Sequence, residues 1–118
     1  MHELSLTKSI LRHTLIYAEE MEAEKVLTVI LQLGVLRDLQ GEWLQRYFSY
    51  ISKDTLAEGA RVIVLPMPVV AKCRHCPEEF TLEAEKVFGE IIRCPACKQQ
   101  DYELVSGTQL IIQSIEIV

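Results

Sequence analysis

Positive charge is scarce in this 118-residue chain: 12 lysines and arginines stand against 17 aspartates and glutamates, for a formal net charge of −5. A protein held on nucleic acid through phosphate contacts presents a basic face. Between Lys72 and Glu103, the stretch that holds every cysteine, five basic residues (Lys72, Arg74, Lys86, Arg93, Lys98) meet seven acidic ones (Glu78, Glu79, Glu83, Glu85, Glu90, Asp101, Glu103). That balance argues against a nucleic-acid reader. Long hydrophobic runs are also missing. No apolar stretch approaches the ~20 residues needed to cross a bilayer, and the longest, Val26–Val35 and Arg61–Ala71, are short and β-branched and read as strands. The start lacks a positively charged segment followed by an apolar block and a small-residue cleavage site, so a cytoplasmic protein is expected. No nucleophile–base pair and no phosphate-binding glycine loop can be found, so the chain is not expected to be an enzyme. Repeats and low-complexity tracts are absent as well.

What is present is the composition of a folded protein, with 49% hydrophobic and 25% charged residues. The length allows one modest core, or a core plus a small metal-stapled appendage. The first twenty-odd residues predict an amphipathic helix with Leu4, Ile10 or Leu11, Leu15, Ala18 and Met21 inward, capped by Ser5 or Thr7, the first residues preceding it and free. Lys25–Leu33 reads as a strand ending at Gly34. Glu42–Ser52 reads as a second helix whose stripe of Trp43, Leu44, Tyr47, Phe48 and Ile51 is assigned to the core. Arg61–Leu65 is a further strand, closed by Pro66 and Pro68. Val69–Lys72 leads into the cysteines. After them come a short strand Tyr102–Val105, a turn at Ser106-Gly107 and a final strand Gln109–Val118 with one face more buried than the other. Strand on both sides of the cysteines predicts a metal module inserted in a larger α/β unit, its flanking strands paired in one sheet.

The only four cysteines are Cys73, Cys76, Cys94 and Cys97, spaced C-x2-C-x17-C-x2-C. Two residues between paired cysteines let the backbone wrap an ion, and two such turns supply four thiolates in tetrahedral array. Cys76-Pro77 and Cys94-Pro95 put prolines where tight turns are wanted. Disulfides are disfavoured in a reducing compartment, and a C-x-x-C redox pair would not need a matching second pair. Four protein ligands leave no open position, so the ion is structural, zinc first and rubredoxin-type iron second.

The N-terminus offers a different donor set. The amine of Met1 with the amide nitrogen and imidazole of His2 can close adjacent chelate rings. Recruiting the amide of Glu3 would complete a roughly planar set, which suits Ni(II) or Cu(II); the Glu3 carboxylate could add a ligand or tune the local field. The competing reading is a frayed terminus without function. His13 is expected at the surface or half-buried, and His75, beside a shell already complete, in an exposed loop.

Met-His-Glu-Leu-Ser-Leu at the start, Leu33-Gly34, Glu58-Gly59, the paired cysteine turns and the ending Leu110–Val118 together resemble the HypA/HybF family of hydrogenase nickel-incorporation proteins, over essentially the whole chain. The resemblance implies an α+β fold: a nickel-binding domain of two helices on a three-stranded sheet (1–68 and 107–118) with an inserted four-cysteine zinc domain (69–106). It implies a nickel site at Met1, His2 and Glu3, and structural zinc on Cys73, Cys76, Cys94 and Cys97. It further implies delivery of Ni(II) to a nickel enzyme, above all a [NiFe]-hydrogenase large subunit, with a HypB-type GTPase and in some organisms urease maturation proteins. No nucleic acid or membrane partner is implied, and the chain would be a monomer or homodimer. Gln40 stands where the family often has an acidic residue, with Asp38 and Glu42 close by. The rival readings are a zinc-ribbon module for protein or nucleic-acid interaction with an inert N-terminus, and a rubredoxin-like electron carrier.

Overall fold

The computed structural model describes every residue except Met1, His2, Asp38, Gln40 and 84–90. Its elements are α1 (Glu3–Glu20), β1 (Val26–Gly34), α2 (Gly41–Ile51), β2 (Arg61–Met67), β3 (Val69–Cys73), β4 (Glu79–Leu82), β5 (Tyr102–Ser106) and β6 (Leu110–Ile117). The strands form two three-stranded sheets, ordered β2-β1-β6 and β4-β3-β5. The chain divides into two compact units, one of Met1–Gln32, Leu39–Leu65 and Ile111–Val118, the other of Leu33–Asp38 and Pro66–Leu110. The expected class, two helices with small sheets and a clustered four-cysteine site, is what the structure has. Among the described residues no helix is long and apolar enough to cross a membrane.

In the first unit α1 and α2 pack together. The face that α1 buries is Thr7, Ile10, Leu11, Thr14 and Ala18, whereas Leu4 and Met21, expected inside, are 39% and 56% exposed. Threonine can enter this core because its hydroxyl is satisfied within the helix. Thr7 Oγ1 donates to the Glu3 carbonyl at 2.7 Å and Thr14 Oγ1 to that of Ile10 at 2.8 Å, which leaves the methyl groups to pack. The helix is already formed at Glu3, so Ser5 and Thr7 lie inside it and neither is the cap. Its far end closes with Ala23 N–H on the Ala18 carbonyl (2.9 Å) and Glu22 N–H on that of Glu19 (3.1 Å), Glu22 being left-handed at φ 54.

From α2 only Leu44 and Phe48 are fully buried; Trp43 is 42% exposed and does not belong to the core. The helix is strapped to β2 by Gln45, whose Oε1 accepts the Val62 N–H at 2.7 Å and whose Nε2 donates to the Ala60 carbonyl at 3.2 Å. The central strand β1 buries Val29, Leu31 and Leu33 with period two, as a strand covered on one face should. The edge strand β2 continues through Pro66 to Met67 instead of stopping at Leu65. An edge position tolerates proline, since the missing N–H need not serve a second neighbour. In β6, the other edge, no residue is fully buried, and the half-buried ones shift phase from Leu110 and Ile112 to Ile115 and Ile117.

In the second unit β3 is central, with Val69, Ala71 and Cys73 buried alternately. It pairs antiparallel with β4 (Lys72 opposite Glu79) and with β5 (Cys73 opposite Tyr102), so the strands flanking the cysteine segment do share a sheet. Gly34 and Gly107 approach here: a Cβ on Gly34 would collide with the Gly107 backbone, and Gly107 itself has φ +120. Only glycine permits that crossing.

Candidate metal centre

Each cysteine pair sits in a turn that the sheet of the second unit holds in place. Cys73 is the last residue of β3, and its N–H donates to the Glu78 carbonyl at 3.0 Å, so Cys76 lies in the hairpin loop to β4. The second turn is closed by Lys98 N–H on the Cys94 carbonyl and Cys94 N–H on that of Gln99, both 2.9 Å, with Lys98 left-handed at φ 65. Prolines at 77 and 95 favour such turns, because their φ is preset.

The four sulfurs converge. Cys73 Sγ lies 3.4 Å from Cys97 Sγ, Cys76 Sγ 3.6 Å from Cys94 Sγ, and all four fall within 4.8 Å of one another. A tetrahedron with metal–sulfur bonds of about 2.3 Å has edges of about 3.8 Å, so this set can hold one ion. The backbone N–H of His75 points at Cys73 Sγ from 3.3 Å, the kind of contact that stabilises a bound thiolate. Cys73 and Cys94 are buried, Cys76 and Cys97 half-buried. No disulfide joins them.

Four thiols so close cannot ionise independently. The Glu78 amide draws the Cys76 thiol down, but burial and the three neighbouring sulfurs outweigh it and push it up to about 12. For Cys97 the Gln99 amide lowers the thiol, and burial together with Cys73 and Cys94 raises it above its ordinary value. Burial pushes Cys94 up, yet the amides of Cys97 and Ala96 and the thiols of Cys76 and Cys97 bring it down to about 7. Cys94 thus takes the negative charge more readily than Cys76 and Cys97, and a cation that neutralises the cluster removes the conflict.

Sequence reasoning treated Arg74 and Asp101 only as charges. The structure gives them a joint role. Arg74 Nη1 donates to Asp101 Oδ1 at 2.9 Å, and the Arg74 N–H donates to the Asp101 carbonyl at 3.1 Å. His75 Nε2 lies 3.4 Å from Asp101 Oδ2 and is therefore engaged outside the sulfur cluster, on a half-exposed surface. These contacts tie the first cysteine turn to the strand that leaves the second. The available signal was an Arg-His pair between two cysteines with an aspartate shortly after the fourth.

Of the N-terminal candidates, Glu3 is the first residue of α1 and half-buried, while Met1 and His2 lie outside the described residues. Asp38 and Gln40 do too. His13 is exposed on α1.

Comparison with known proteins gives one consistent answer. The family model described as hydrogenase/urease nickel incorporation, metallochaperone, HypA matches residues 1–117. The hydrogenase maturation factor HypA of Desulfitobacterium hafniense (strain DSM 10664 / DCB-2) is 32% identical over 117 residues, covering 99% of this chain and 98% of that protein. That of Methanothermobacter thermautotrophicus is 33% identical over 119 residues, covering 99% and 97%. The fold is shared with two solution structures. One of a HypA protein has a TM-score of 0.79 at 18% identity, covering 100% of this chain and 97% of that one. The other, of the nickel metallochaperone HypA from Helicobacter pylori, has a TM-score of 0.69 at 19% identity, covering 100% and 98%. A family model describing a metallochaperone rather than an enzyme, matched along nearly the whole sequence, places this chain in the HypA family of hydrogenase/urease nickel-incorporation proteins.

Proposed function

We propose that this chain binds Ni(II) at its own N-terminus and hands it, in the cytoplasm, to a nickel enzyme under maturation, with a [NiFe]-hydrogenase large subunit as the client and a HypB-type GTPase as the co-chaperone. The observation that carries this reading is the family match over residues 1–117, which takes in Met1-His2-Glu3 and all four cysteines in order. Urease maturation is the second client class, because the family's description names both enzymes.

The nickel donors are the Met1 amine and the amide and imidazole nitrogens of His2, a nitrogen-rich set that suits Ni(II). Glu3 supports it electrostatically. Among the described residues the helix starts at Glu3, and the partial positive charge of a helix N-terminus would repel a cation. A carboxylate at the first helical residue offsets that charge. Residues 1–68 and 107–118 form the nickel-handling domain. Residues 69–106 form the inserted domain, in which Cys73, Cys76, Cys94 and Cys97 hold a structural Zn(II). The closed four-sulfur shell leaves no position for substrate or water, so the ion is structural rather than catalytic.

Nickel titration of the untagged protein, beside a version with residues added before Met1 and beside His2→Ala, tests this. Both altered proteins should lose about tenfold or more in nickel affinity, some 1.4 kcal/mol, while zinc content stays the same. Equal nickel binding by all three would remove the terminal site and with it the carrier mechanism.

A further inference from the structure

The outer face of α2 gathers aromatic and cationic side chains. Arg46 and Tyr47 stand three and four residues after Trp43, Tyr50 stands four and three after them, and Lys53 follows three residues later, just beyond the helix end. They therefore share one stripe, beside the face that buries Leu44 and Phe48. Three of the chain's eight aromatic residues (one Trp, four Tyr, three Phe) stand on this stripe. Trp43 is 42% and Tyr50 70% exposed.

The stripe is organised before anything binds. The Trp43 and Tyr47 rings are 5.9 Å apart. The Arg46 guanidinium lies 5.0 Å from the centre of the Trp43 ring, and Lys53 Nζ 5.4 Å from that of Tyr50. The helix beneath is anchored by Gln45 to the backbone of Ala60 and Val62. Rings supply contact area at small entropic cost, and cations stacked on them keep their N–H edges outward. Glu42 already shows the chemistry this favours: its Oε1 accepts from Arg46 Nη2 at 2.9 Å. Among the described residues Lys53 forms no ion pair.

We propose that this face of α2 is a docking surface for an acidic helix of a partner protein, whose carboxylates pair with Arg46 and Lys53 while its apolar side chains cover Trp43, Tyr47 and Tyr50. Arg46 and Lys53 are seven residues apart, about 10 Å along a helix axis. The matching partner carries two acidic residues seven apart with apolar residues between them. Single-stranded nucleic acid also stacks on aromatic and cationic surfaces, but it carries a phosphate on every nucleotide, whereas this stripe offers two separated cations, Arg46 and Lys53, which match two carboxylates rather than a continuous backbone.

Trp43 is the only tryptophan, so its fluorescence reports on the face directly. The full chain is titrated with a helical peptide bearing glutamates at positions i and i+7 and leucines at i+3 and i+4. The controls are the same peptide with glutamine for glutamate, and an oligothymidylate. The glutamate peptide should change Trp43 emission saturably. Binding should be about tenfold weaker for the glutamine peptide and for the double variant Arg46→Gln/Lys53→Gln, and should weaken as salt rises. Tyr50→Ala should weaken it as well; both variants are at exposed positions and should melt like the parent. The proposal is overturned if no saturable change appears up to about 1 mM peptide, if the double variant binds as well as the parent, or if the oligothymidylate binds more tightly. A change of Trp43 emission with protein concentration alone would also overturn it, by assigning the face to a second copy of the chain.

Discussion

Ser52 is the clearest case of a single side chain at odds with its surroundings. It lies fully buried just after α2, and among the described residues its hydroxyl has no hydrogen-bond partner. Its backbone is well used, with the N–H on the Phe48 carbonyl and its own carbonyl accepting from Thr55. The side chain therefore carries a desolvation cost without a bond to offset it. Ser52→Ala should raise stability by about 1 kcal/mol, seen as a higher urea midpoint with an unchanged slope; a lower midpoint would mean that the hydroxyl has a partner. Thr7 and Thr14 show the contrasting case, since each buried hydroxyl returns to a carbonyl one turn back.

At the scale of elements, the end of α1 is built against its own preferences. Glu22 occupies the left-handed position of the closing turn, where glycine is favoured. The last turn also contains acidic residues and no basic one, which opposes the helix dipole. Relief of the backbone conformation is worth roughly 1 kcal/mol. Glu22→Gly should therefore stabilise the protein by about 0.5–1 kcal/mol, measured by thermal or urea melting, with Glu22→Gln as the control that alters only charge. If the glutamine variant gains as much, the charge rather than the backbone was responsible.

On the scale of the molecule, the second unit depends on its sulfur cluster more than on apolar burial. Beyond Val69, Ala71, Cys73 and Cys94, few of its described hydrophobic side chains are fully buried. Metal removal by a strong chelator should then expose the amides of β3, β4 and β5 to hydrogen exchange, while Val29 and Leu31 in β1 of the first unit stay protected. Retained protection in β3 would show that the fold does not need the ion. Acid should act in the same direction. Binding a metal displaces protons from Cys76 and Cys97, whose thiols are raised, the former to about 12, so affinity falls as pH falls. Below about pH 7 the metal-free Cys94 also takes up a proton, so the loss steepens there. Since the unfolded chain holds more protons than the metal-bound fold, stability must rise with pH across this window. A zinc competition titration at a series of pH values would measure it, and a flat profile would contradict the thiolate assignment.

Local features were readable without coordinates. Helix and strand positions follow periodicity and turn residues, so α1, β1, α2 and β3 lie close to where the pattern puts them. The cysteine cluster was legible because C-x2-C is a local turn that closes by its own backbone bonds. Misassignments came where a neighbour decides. Trp43 and Tyr47 have helical spacing that suits a core, but one helix buries only the part of its apolar arc that meets another element, and Leu44 with Phe48 fill it. Pro66 stays in a strand because β2 is an edge. The sequence alone determined the elements and the metal-binding turns, since both rest on short-range backbone geometry. Which side of each helix faces inward, and that Asp101 ties the first cysteine turn to β5, was settled only by the tertiary structure, because burial and ion pairing depend on residues brought together from far apart in the chain.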